Sequence, residues 1–85
     1  MANLKDFTIG DVYIIKPVKK DYYGDEAKII KITDITKATL AFEQMREQNI
    51  DGVISFEGSG YGQRYDMASF NSNWKIIETV EKAAE

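Results

Sequence analysis

The chain contains no cysteine, no histidine and a single proline in 85 residues. Without cysteine there is neither a disulfide framework nor thiolate chemistry. Without histidine there is no imidazole to act as a general base near neutral pH. The two absences together remove the most common acid–base and nucleophilic machinery, so a protein that is not an enzyme is expected. The lack of cysteine fits a reducing cytoplasm. The opening stretch MANLKDF carries neither a basic nor an apolar run, so no secretory signal is expected. No apolar run approaches the roughly 18 residues that cross a bilayer. Internal repeats, low-complexity tracts and linkers are also missing, which leaves one domain over residues 1–85, with an ordered core over about residues 6–79 and a short frayed tail.

What is present is an ordinary globular composition. The apolar share of 44% and aromatic share of 12% are enough to build a core, and they argue against global disorder. A chain of this length buries only about 60–65% of its unfolded surface, so that core is small. The net charge of −3 hides an uneven distribution. Residues 16–37 carry six lysines against four acids, a net +2, whereas residues 38–85 carry four basic groups against eight acids, a net −4. An acidic total disfavours indiscriminate coating of nucleic acid, yet a local lysine surface still suits a strand.

The apolar pattern reads first as strands. IGDVYIIKPV places Val12 and Ile14 on one face and Tyr13 and Ile15 on the other, which suggests a strand covered on both sides. Pro17 cannot donate to a ladder, so pairing ends there or continues at an edge. AKIIKITDI reads as a second strand with Ile30 and Ile32 inward and Lys31 and Thr33 outward. The period then changes. Ile35, Ala38, Phe42 and Met45 recur at steps of three and four, which predicts a helix over residues 36–48. Asp34 or Thr36 caps its start, and Asn49 with Ile50 closes it as a left-handed ending. Asp51-Gly52 turns the chain into VISFE, a third strand. RYDMASF is a short strand or turn, and NWKIIETV is the last strand, with Trp74 and Ile76 inward. The fold class that follows is α+β: a small, strongly bent antiparallel sheet or open barrel of about five strands, with one helix inserted at residues 36–48, and the alternative is a flatter antiparallel α+β sandwich.

Two resemblances bear on function. FTIGDVYIIKP (Phe7 to Pro17) resembles the opening of SH3-like barrels, in which an aromatic residue, a Gly-Asp pair and a V-x-I strand follow one another. YDMASFNSNWKII (Tyr65 to Ile77) resembles their close, a one-turn segment leading into a strand headed by tryptophan. The helix over residues 36–48 departs from that pattern. The family resemblance implies a binding groove flanked by KKDYYGDE and GYGQRYD. In size, acidity, lysine-rich composition and lack of cysteine, the chain also resembles phage early proteins that bind and disable a host factor, among them T-even phage inhibitors of an endoribonuclease toxin. That second resemblance implies an antitoxin-like inhibitor in the host cytoplasm. Its partner would be a host protein such as a toxin or nuclease, with or without RNA in the complex, and no membrane.

The candidate chemistry is sparse. GSGYGQRYD spaces glycines at positions 58, 60 and 62, but a dinucleotide fingerprint needs G-x-G-x-x-G opening a helix, and QRYDM is too short and strand-like for one. The glycines are expected to free a wide hairpin loop that displays Tyr61 and Arg64. Ser72 and Lys75 match S-x-x-K without its companion motifs, and chance explains the match. Asp21, Asp25 and Glu26 lack the spacing of a calcium loop and read as solvated turn charges, so no metal and no cofactor are expected. Phe7, Tyr13, Phe42, Phe56, Phe70 and Trp74 sit in apolar patterns and read as core. Tyr22, Tyr23, Tyr61 and Tyr65 lie in polar, glycine-flanked stretches. With Arg64 they form the candidate partner-binding set, since tyrosine and arginine are enriched at binding hot spots, and the alternative is that the tyrosines fold back over a small core. Lys16, Lys19, Lys20, Lys28 and Lys31 form the candidate nucleic-acid set, with the tyrosines stacking bases. An exposed strand edge leaves both a monomer and a homodimer open.

Overall fold

The computed structural model describes residues 3–18 and 27–81. Among these residues, five strands form one antiparallel sheet: β1 (Val12–Pro17), β2 (Lys28–Ile35), β3 (Thr39–Ile50), β4 (Val53–Asp66) and β5 (Trp74–Glu81). Their order is β4-β3-β2-β1-β5, so the last strand returns beside the first and the sheet stays open between β4 and β5. One helix, α1 (Met67–Asn73), joins β4 to β5, and a 3-10 turn at Leu4–Asp6 precedes β1. The architecture is a small α+β fold made mostly of β. Among the described residues no helix is long and apolar enough to cross a membrane.

The sheet is organised by the turn before β1. Gly10 takes the left-handed conformation (φ 100°), which lets Asp11 turn inward, where it is fully buried. One Asp11 carboxylate oxygen, Oδ2, accepts the Thr8 N–H and the Tyr13 hydroxyl, both at 2.8 Å. The Gly10 N–H donates to the Ile32 carbonyl and the Ile32 N–H donates to the Asp11 carbonyl, at 2.8 and 2.9 Å. The backbone of Gly10 and Asp11 thus holds the entry of β1 against β2, while the buried carboxylate ties the turn to Tyr13. β1 pairs with β2 over Val12–Ile15 and with β5 as far as Pro17, beyond which the Val18 N–H still donates to the Asn73 carbonyl at 2.9 Å. Val12, Tyr13 and Ile15 are all buried, as apolar residues on both faces lead one to expect.

The segment predicted as a helix is strand β3. It pairs with β2 on one side and β4 on the other, from Ile35↔Leu40 to Ile50↔Val53. Ala38, Phe42 and Met45 satisfy a helical period, but Leu40 lies outside that stripe and is fully buried, two residues from buried Phe42. The two-residue alternation of Leu40 and Phe42 puts both in the core, and the partner strands supply the backbone hydrogen bonds that a helix would make internally. A short turn takes the place of the helix start: Thr36 Oγ1 accepts the Thr39 N–H at 2.9 Å, and the two hydroxyls meet at 2.7 Å. The expected left-handed helix ending is instead a two-residue hairpin turn. Asp51 (φ 53°) and Gly52 (φ 83°) are both left-handed, and Asn49 Oδ1 accepts the Gly52 N–H at 3.1 Å.

The glycine segment is not a loop either. Gly58 to Gly62 lie inside β4, where four steps of β4 oppose two of β3 between Gly58↔Met45 and Gly62↔Glu43. The surplus is absorbed as a bulge at Gly60 (φ 82°), whose N–H donates to Glu43 Oε2 at 2.9 Å. A Cβ on Gly58 would stand 2.5 Å from that same Glu43 oxygen, so the glycines admit the Glu43 side chain across the strand. RYDMASF ends β4 and then becomes α1. Asp66 caps the helix by accepting the Ser69 N–H at 2.7 Å.

The core lies between one face of the sheet and α1. Phe7, Tyr13, Ile15, Ile30, Ile32, Leu40, Phe42, Phe70 and Trp74 form one buried cluster, with Leu4, Ile35, Tyr65 and Met67 packed on its margin. Phe70 is fully buried and meets Phe7 and Phe42 edge-on, at centroid distances of 6.0 Å each. Trp74 is inward as expected, but Ile76 is exposed because β5 is an edge strand with register shifts opposite Val12/Tyr13 and Ile14/Ile15. Phe56 was expected in the core. It is only partly buried and outside the cluster, because it lies where β3 and β4 run on as a ribbon past the end of β2.

Candidate functional site

Among the described residues, the core is not closed at one end. Ile15, Ile30, Phe42 and Trp74 form the floor of a cavity of about 240 Å³, and Lys28, Gln44, Tyr61 and Gln63 form its rim. Strand parity places these side chains together. Lys28 lies opposite Ile15 in the β1–β2 ladder and shares a face with Ile30 and Ile32. Gln44 shares the face of Phe42 two residues earlier on β3. Tyr61 and Gln63 come from β4 beside the Gly60 bulge, which re-aims the strand where the rim crosses it. The Gln63 amide donates to the Tyr61 hydroxyl at 3.3 Å, and Tyr61 is 58% exposed. Among the described residues the rim thus offers one cation, two amides and a phenol over an apolar floor.

The candidate residues from sequence separate into distinct places. Tyr61 and Lys28 meet at the cavity. Tyr65, a candidate for either the partner surface or the core, stacks on Phe42 at 5.9 Å with an interplanar angle of 23°, and so supports the core. Arg64 does not accompany Tyr61, because adjacent strand residues point to opposite faces for odd and even positions. Arg64 instead bonds to Asp34 Oδ2 at 2.6 Å and to Thr39 Oγ1 at 2.8 Å on the other face. Lys16 and Lys31 lie on that other face too, opposite Lys75 and Val12 respectively, so the described lysines Lys16, Lys28 and Lys31 do not share one face. Lys19, Lys20, Tyr22, Tyr23, Asp21, Asp25 and Glu26 lie outside the described residues. Sequence reasoning missed Gln44, Gln63 and the open floor. The parity of Lys28 with Ile30 was a usable signal for the rim, whereas Gln44 became visible only once β3 was a strand.

The Arg64–Asp34 pair has a pH consequence. The Arg64 hydrogen bond, more than its charge, holds the Asp34 carboxyl below its ordinary value. A lowered folded-state value means the pair adds stability above the unfolded value and loses it as pH falls through the lowered one. Both side chains are about half exposed, so salt screens the effect. In an NMR titration, Arg64→Ala is expected to return Asp34 towards its ordinary value. An unchanged titration midpoint would contradict the pairing.

Among the described residues there is no group of three or more acidic, cysteine or histidine side chains arranged to hold a metal ion. In comparison with known proteins, no family model, no curated protein and no solved structure matches the chain.

Proposed function

We propose that the chain is a small non-catalytic binding protein that holds a protein partner by seating one of its apolar or aromatic side chains in the cavity. The observation that carries this reading is the open floor of Ile15, Ile30, Phe42 and Trp74 behind a rim that exposes Tyr61. Small-molecule sites usually span roughly 300–1,000 Å³, so a space of about 240 Å³ suits one inserted side chain better than a drug-sized ligand. An exposed tyrosine beside an apolar socket is the composition of an interface hot spot. The partner class follows from the resemblance to phage early proteins: a host toxin or nuclease, with the chain acting as an antitoxin-like inhibitor in the host cytoplasm. The return of the last strand beside the first, with one short helix before Trp74, supports an SH3-like reading of the open sheet.

Lys28 beside Tyr61 favours a second reading, in which the cavity takes a base of single-stranded RNA or DNA and Lys28 a phosphate. The dispersal of Lys16 and Lys31 to the other face favours the first, because a strand needs a continuous cationic path.

Capture from a bacterial lysate, with and without ribonuclease, identifies what is bound. For the purified partner, Tyr61→Ala is expected to weaken binding by about thirtyfold, a loss of roughly 2 kcal/mol, while the thermal midpoint stays unchanged. Wild-type affinity in that variant would remove the cavity from the interface. A linear fall of log affinity with log salt, at a slope of several ions, would replace the protein reading with the nucleic-acid one.

A further inference from the structure

The two edges of the sheet are not equally protected. β5 carries Lys75, Glu78 and Glu81, and its register shifts twice against β1, features that discourage another strand from pairing there. The inner half of β4 is interrupted by the left-handed Gly60. Between the hairpin turn and that bulge, however, Val53 to Glu57 runs as regular strand with no proline, no bulge and one charge. Val53 and Ile54 are 67% and 58% exposed, and Ile54 and Phe56 line a second hollow with Val12 and Met45.

The hairpin fixes which backbone groups on this stretch are free. In a two-residue hairpin the residues flanking the turn, Ile50 and Val53, form a hydrogen-bonded pair. Alternation then directs the N–H and C=O groups of Val53, Ser55 and Glu57 at β3, and those of Ile54 and Phe56 outward. An antiparallel copy of the same stretch centred on Ser55 sets Ile54 opposite Phe56 of the second copy. Those are the residues whose backbone groups point outward. Each such pair exchanges two hydrogen bonds, and two-fold symmetry gives two pairs. Ile54 and Phe56 share a face, so each forms an aliphatic–aromatic cross-strand contact with the other copy. Ser55 meets only itself at the axis, and Glu57 lies opposite Val53, so no like charges meet.

From this self-complementarity we infer that β4 is a dimerisation edge, with a second copy of this chain as its occupant. The β3–β4 ribbons join two sheets into one across Val53–Glu57. The contact is short, with two pairs exchanging two hydrogen bonds each, so the dimer is weak and concentration-dependent. It does not use the Tyr61 cavity and stands or falls separately from the partner-binding reading.

The test is sedimentation velocity over a concentration series. Wild type is expected to shift from monomer to dimer. Ser55→Lys and Ser55→Glu place like charges directly opposite across the axis, and each alone is expected to remain monomeric. An equal mixture of the two is expected to dimerise again. In wild type mixed from ¹³C-labelled and unlabelled protein, intermolecular NOEs are expected between Ile54 and Phe56. A wild type that stays monomeric at every concentration would overturn the inference. So would dimerisation of both single variants, a mixture that stays monomeric, or intermolecular NOEs confined to β5.

Discussion

Replacing Phe70 by alanine is expected to destabilise the protein by about 3–5 kcal/mol. Phe70 is the one buried residue of α1, and its ring fills the space between Phe7 and Phe42. The substitution removes the transfer free energy of a fully buried ring and leaves a void that a two-turn helix tethered at both ends has little freedom to close. A chain of this length has a total stability of roughly 4–13 kcal/mol, so the loss is a large share of the whole. At roughly 4–8 °C per kcal/mol for a domain this small, the thermal midpoint falls by more than about 12 °C. The observable is the midpoint by circular dichroism or calorimetry. A fall of only a few degrees would mean that α1 does not hold the sheet. Phe70→Leu retains much of the volume and is expected to lose less than half as much.

The second large effect is expected at Asp11. A buried carboxylate is costly to desolvate, so its removal brings some relief. Against this, Asp11→Ala strips the acceptor from the Tyr13 hydroxyl and the Thr8 N–H, both at 2.8 Å, and Tyr13 is itself buried. Losing a buried hydrogen bond costs about 1–3 kcal/mol, more when it was to a charged group; the exposed Thr8 N–H regains water, so the cost falls mainly on the Tyr13 hydroxyl, which keeps a longer contact with the Asp6 carbonyl at 3.5 Å. The lost bonds outweigh that relief, and a net loss of about 1–3 kcal/mol is expected. A double-mutant cycle isolates the contact. Tyr13→Phe is expected to destabilise wild type but to cost little in the Asp11→Ala background, where the hydroxyl has already lost its 2.8 Å acceptor. Additive effects would show that the hydroxyl and the carboxylate act independently. Asp11→Asn keeps one acceptor oxygen and is expected to fall between wild type and Asp11→Ala.

Much of the candidate site was legible in sequence only as pieces. Tyr61 and Lys28 were both singled out, for different tasks, and the structure puts them on one rim. Tyr65 and Arg64 were grouped with Tyr61 because all three sit in one polar, glycine-rich stretch. Once that stretch is a strand, parity sends Arg64 to the other face, and the ring of Phe42 captures Tyr65. Neighbours in sequence were mistaken for neighbours in space because the glycines suggested a loop, in which parity does not apply.

Local sequence was enough wherever the information is local. The alternation of Ile30 and Ile32 against Lys31 and Thr33 set the faces of β2, Gly10-Asp11 marked the entry to β1, and Asp51-Gly52 turned the chain, because side-chain period and left-handed backbone geometry depend on adjacent residues alone. Tertiary structure decided the rest. Residues 39–50 contain good helix formers with a helical stripe, and they are a strand because β2 and β4 offer hydrogen bonds on both sides and bury Leu40 together with Phe42. Which strand lies at an edge, where the core stays open and which lysine joins which tyrosine all depend on the β4-β3-β2-β1-β5 order. That order arises from pairing between distant segments, whose energies no short window of sequence contains.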